Sequence, residues 1–140
     1  MTFESGPEAI LLLVGRICYG GFLIFAGILQ LQFRELMAET AKAKRVPLPE
    51  IGVIATGLFL IGGGAGIVIG IYPGIAAGML IAFFVIVTPL MHNFWAVPEW
   101  QAQEELTNFH KNIELLGAAL VFLALSTQRW GYAVNIGIWV

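Results

Sequence analysis

Residues 51–91, IGVIATGLFLIGGGAGIVIGIYPGIAAGMLIAFFVIVTPLM, contain no Asp, Glu, Lys or Arg. One turn signal, Tyr72-Pro73-Gly74, divides the stretch into two runs, Ile51–Tyr72 and Pro73–Met91. Each run has about the 20 apolar residues that a helix needs to cross a ~30 Å hydrocarbon layer. Pro73 suits a first helical turn, and Tyr72 falls where an aromatic ring meets the headgroups. Lipid is the natural solvent for surfaces of this kind, which would aggregate in water. The whole chain follows suit: of 140 residues 59% are hydrophobic and 11% charged, where a soluble domain carries about 25% charged residues.

Working outward, two more helices are expected. The first covers about residues 7–32. Ser5 and Glu8 fit a capping box, Pro7 fits the first turn, and Arg16 is the lone internal charge. The central pair covers about 50–71 and 73–94, with Pro89 inside the latter. A fourth helix covers about 104–126. The fold expected is therefore all-α, an integral membrane four-helix bundle forming one domain over residues 1–140. Residues 33–49, FRELMAETAKAKRVPLP, form the long polar connection. It favours helix up to Ala43 and places Phe33, Leu36, Met37 and Ala41 on one stripe that could lie on the interface; a solvated helical extension is the alternative. The tail, 127–140, is too short to cross again, and Trp130, Tyr132 and Trp139 read as interfacial anchors.

Four crossings place both termini and the 72–74 turn at one end. Arg34, Lys42, Lys44, Arg45 and Lys111 lie at the other, against Arg16 and Arg129 at the first. The positive-inside rule then puts the termini outside. Nothing before Arg16 supplies the basic flank of a removable signal, so the first apolar stretch is expected to be kept. A net charge of −2 gives no reason to expect nucleic acid, and the single Cys18 excludes an internal disulfide.

Gly62, Gly66, Gly70, Gly74 and Gly78 recur every fourth residue. That spacing puts small residues on one helix face, where backbones can approach closely. The stripe is expected to pack the second predicted helix on the third; packing against a partner is the alternative.

One dense polar layer stands out. The third predicted helix ends in His92, Asn93 and Trp95, and the fourth opens with Asn108, His110, Lys111, Asn112 and Glu114. The residues favour an interfacial network that pins the two helices together. The alternative is a site for a quinone headgroup, since His92, Asn93, Trp95, His110, Lys111 and Asn112 offer hydrogen-bond donors beside an aromatic wall. Two histidines without a neighbouring carboxylate or cysteine pattern do not assign a metal. Arg16 lies ~10 Å in from one end and Glu114 ~13–15 Å in from the other at 1.5 Å per residue. A buried Arg16–Glu114 ion pair is therefore expected, because an unpaired charge inside a bilayer is costly.

The chain resembles the DoxX family of small four-helix membrane proteins. The resemblance rests on Arg16 in a first helix ending near Gly27-Ile-Leu-Gln30-Leu31, on Pro47-Leu-Pro49, and on Gly57…Gly63-Gly64…Gly70. Its most specific part is His92-Asn-Phe-Trp95 followed by Gln103-Glu-Glu…Asn108-Phe-His-Lys111-Asn112. It implies a multi-pass protein of a prokaryotic cytoplasmic membrane linked to redox metabolism, some members being associated with thiosulfate:quinone oxidoreduction. Members often carry a Lys near the end of helix 1 and a Glu within helix 2; Gln30 and Leu60 stand here. That departure favours a non-catalytic accessory or scaffold subunit partnered by other membrane redox subunits or a second copy. The alternatives are a quinone-linked membrane oxidoreductase and a small carrier or lipid-binding protein.

Overall fold

The computed structural model describes residues 3–138. Five α-helices follow one another: α1 (Gly6–Gln32), α2 (Arg34–Ala43), α3 (Pro49–Ile69), α4 (Pro73–Met91) and α5 (Glu99–Leu125). A short 3-10 turn, Phe94–Ala96, separates α4 from α5. The fold is all-α, with five helices rather than the expected four. The extra one is α2, inside the connection expected from residue 33 to 49. It buries Ala38 and Ala41 and leaves Phe33, Leu36 and Met37 exposed. α5 begins earlier than residue 104 because Glu99, in the first turn, suits the positive end of the helix dipole.

Among the described residues three helices are long and apolar enough to cross a membrane, the segments Gly6–Gln32, Pro49–Ile69 and Pro73–Ala96. This is a multi-pass membrane protein. α5 carries His110, Lys111 and Glu114 in its first half and becomes continuously apolar only beyond them. It nevertheless returns the chain to the end where α1 starts, since Trp130 pairs there with Phe3.

α3 is the central element. α1 packs on one side of it more extensively than any other pair of helices, and α4 and α2 also pack against it. α5 covers α4. Tyr19 closes the gap between α1 and α5. Its hydroxyl donates to the Leu115 carbonyl at 2.8 Å, and its ring lies 5.2 Å from that of Phe122. The core joins Leu23, Leu60, Ile67, Leu80, Phe84 and Phe122 into one cluster.

The closest backbone approach is between α1 and α3, away from the expected glycine stripe. A Cβ on Gly20 would lie 2.5 Å from the Gly64 carbonyl oxygen, and one on Gly64 would lie 2.6 Å from the Gly20 oxygen. Gly27 and Gly57 repeat the crossing one heptad further along. Of the expected stripe, Gly66 meets Ala76 of α4, whereas Gly62 would make only ordinary contact with Met79 and Gly78 faces open space. Gly74 sits half-buried in the first turn of α4. Gly70 serves the backbone instead, ending α3 at φ +74° in the left-handed conformation that favours glycine. Ser5 occupies the cap position of α1 but its side chain makes no capping bond.

Candidate functional site

Two polar centres stand at opposite ends of the bundle. The first is built on Arg16. Two turns and more into α1, its side chain is fully buried and reaches the C-terminal turn of α3. Nε donates to the Ile67 carbonyl at 3.0 Å. Nη2 donates to Val68 at 2.5 Å and to Tyr132 at 3.2 Å, and Nη1 donates to Gly131 at 2.9 Å. The guanidinium also lies 5.2 Å from the ring centroid of Trp130. The last four carbonyls of a helix lack intrahelical partners and carry partial negative charge. Here all four of α3 are satisfied. Gly66 accepts from Gly70 and Ile71, Ile69 accepts from Val134, and Arg16 takes Ile67 and Val68.

The expected Arg16–Glu114 ion pair is not formed. All the bonds of Arg16 go to carbonyls, and Glu114 is exposed with no ion pair among the described residues. The tail is the reason. Trp130 is 1% exposed, so it is a buried plug beside Arg16 and Phe122 rather than an interfacial anchor. Its ring nitrogen donates to Leu125, and Asn135 clasps both its backbone N–H and its carbonyl at 2.9 Å. Tyr132 is exposed; Trp139 lies outside the described residues.

The second centre lies where α2 ends, α4 ends and α5 begins. Lys44 Nζ donates to the Met91 carbonyl at 2.5 Å, to Asn93 Oδ1 at 3.1 Å and to Glu105 Oε1 at 2.6 Å. His92 Nδ1 stands 2.8 Å from the other carboxylate oxygen of Glu105. Glu105 therefore bridges a cation on one element to an imidazole on another, beside a polar cavity of about 700 Å³ that Arg45, Trp100 and Glu104 help to line. Burial by itself raises the Glu105 carboxyl, but the hydrogen bonds and charges of Lys44 and His92 outweigh it and hold the group below its ordinary value.

Of the expected polar layer, the structure brings His92 and Asn93 together. Trp95 is exposed and stacks edge-on with Phe94 and Phe109. His110 and Lys111 are exposed on α5, where Lys111 bonds Asn108 at 3.3 Å, and Asn112 is buried. Lys44 and Glu105 complete the site; the sequence gives neither a role there, although Glu105 falls in the Gln103-Glu-Glu stretch that carries the resemblance. Lys44 reads as one of several loop cations and Glu105 as one of two adjacent acids, and only the folding of α2 makes them neighbours.

A carboxyl whose value is lower in the folded protein contributes stability above the unfolded value, ~4.3, and loses it as pH falls through the folded one. Thermal unfolding followed from pH 7 to pH 3 should therefore show wild type losing roughly 1.5 kcal/mol more than Glu105→Gln, the lower end of the range for bonds to a charged group. Parallel curves would mean that the bridge contributes nothing.

A family model described as DoxX matches residues 11–93, which include Arg16, Gln30, His92 and Asn93. No curated protein and no solved structure matches the chain.

Proposed function

We propose that this chain, which belongs to the DoxX family, serves as a non-catalytic accessory subunit that holds a redox assembly in a prokaryotic cytoplasmic membrane. One observation carries the reading: the interior cations are committed to the protein's own structure. Arg16 is satisfied by four carbonyls, and Lys44 by a carboxylate, an amide and a carbonyl. The sealing of Arg16 also argues against a carrier that would offer water a path to this charge. Arg34, Lys42 and Arg45 are exposed at the α2 end, which supports a cytoplasmic position for that end and an outside position for the tail.

The test uses the tagged chain in its native membrane, solubilised in mild detergent. The expected result is co-purification, in fixed proportion, of larger subunits whose absorbance shows flavin, haem or iron–sulfur chromophores. The isolated chain should not turn over a soluble quinone analogue. Reduction of the analogue by the isolated chain, lost in His92→Ala, would establish the quinone-linked reading instead.

A further inference from the structure

α1, α2, α3 and α4 enclose a second cavity, of about 300 Å³, that neither polar centre uses. Its wall is apolar almost throughout, with Val53, Ile86 and Leu90 among its residues. Ile86 and Leu90 are also 57% and 42% exposed on the outer face of α4, so the cavity lies against the lipid-facing surface. Gln30 and Thr56 interrupt the apolar lining. The carboxamide nitrogen of Gln30 donates to the Val53 carbonyl at 2.8 Å and to Thr56 Oγ1 at 2.6 Å, which uses both of its hydrogens. Thr56 in turn donates to the Gly52 carbonyl at 2.7 Å. The amide is thus fixed by its nitrogen, while its Oε1 accepts from no donor among the described residues. Nor is that oxygen sealed in: among the described residues the one fully enclosed side-chain polar atom without a partner is Thr88 Oγ1. An acceptor held rigid in an apolar surround and left open favours a ligand that brings a donor.

We propose that the Gln30 cavity binds a small membrane-soluble alcohol or phenol, its hydroxyl donating to Gln30 Oε1 and its apolar body filling the space between α3 and α4. The size sets the body. At the lower end of the range for ligand pockets, the cavity takes one compact ring system or a short chain and not a large multi-ring molecule. The position sets the polarity. Gln30 is in the last turn of α1, near the end of the span, where an amphipathic ligand keeps its hydroxyl toward the headgroups. This inference is independent of the accessory role, since a subunit of either kind could hold such a ligand.

Gly52 provides the clean perturbation. It lines the cavity, and a Cβ added there would meet nothing within 4 Å, so a larger side chain begins without a backbone clash. The experiment measures saturable binding of 1-naphthol to the purified chain in lipid nanodiscs, with empty nanodiscs as the partition blank. The expected result is binding at least tenfold tighter than that of 1-methoxynaphthalene, which has the same body and no donor. Gln30→Met should erase that tenfold preference, and Gly52→Phe should remove saturable binding of both probes. Competition by 1-decanol would identify an aliphatic source of the hydroxyl, and its failure an aromatic one. Equal affinities for naphthol and its ether in wild type would overturn the proposal without recourse to any variant, as would unchanged binding in a folded Gly52→Phe.

Discussion

Replacing Arg16 by methionine is expected to lower the stability of the bundle by about 3 kcal/mol, more than any substitution at the polar layer near His92. The size of the loss follows from what is left behind. Methionine fills much of the volume but donates nothing, so the Ile67 and Val68 carbonyls at the end of α3 lose their partners inside the protein. Each buried neutral group left unsatisfied costs about 1–3 kcal/mol. Arg16→Lys should recover only part of the loss. One ammonium cannot span carbonyls on two separate segments as a planar guanidinium does. Unfolding in mixed micelles, followed by far-ultraviolet dichroism, would measure both variants. A chain shortened to end at Arg129 supplies the cross-check. Having lost the Gly131 and Tyr132 acceptors, it should be less sensitive to Arg16→Met than the full chain. A change below about 0.5 kcal/mol in the full chain would show that water or lipid replaces the guanidinium without cost.

The second large effect is expected at Gly64. A valine there would drive its Cβ to 2.6 Å from the Gly20 carbonyl oxygen and to 3.1 Å from the Ile24 nitrogen, both of them backbone atoms of α1. Neither can move without separating the two helices along their main seam. Overpacking a tight contact costs about 1–3 kcal/mol, and a backbone neighbour places Gly64→Val at the upper end. Gly78→Ala is the control. It faces open space within α4, so the gain in helix propensity, up to about 1 kcal/mol, should leave it neutral or slightly stabilising. If the two results came out reversed, the seam would run along the 62–78 stripe and α1 would be the loosely held helix.

These two residues also mark what a reading of the chain can and cannot reach. The apolar helices are legible because an uncharged run of membrane-spanning length has one stable solvent and one backbone solution in it. Arg16 is legible as a buried, committed charge because it stands alone in such a run. Its partner is not. Adding helical rises from each end locates Glu114 at a matching depth but treats the tail as an anchor lying outside the bundle. The carbonyls that actually receive the guanidinium leave no trace in side-chain chemistry. The glycines repeat the lesson. A period of four selects residues 62–78, whereas the seam uses Gly20 with Gly64 and Gly27 with Gly57, because which face of a helix meets a neighbour is settled by the neighbour. The helical character of α2 up to Ala43 is legible, but its mixed charge hides which face packs on α3, and with it the approach of Lys44 to Glu105. His92 and Asn93 are legible because two segment ends rich in polar groups have to meet at one level of the membrane.

The clasp between Arg16 and the tail orders events during synthesis. Arg16 leaves the ribosome 51 residues ahead of Ile67 and 115 ahead of Gly131. At about 5–20 residues per second, the last of its acceptors emerges roughly 6–23 s after it. For that interval the first helix sits in the insertion machinery or the bilayer with an incompletely matched cation, and α3 waits with an open end. The nascent protein can thread its apolar segments early, but it locks only when the final stretch folds back, so an extension that holds residues 130–135 away from the bundle would leave it assembled and unlatched.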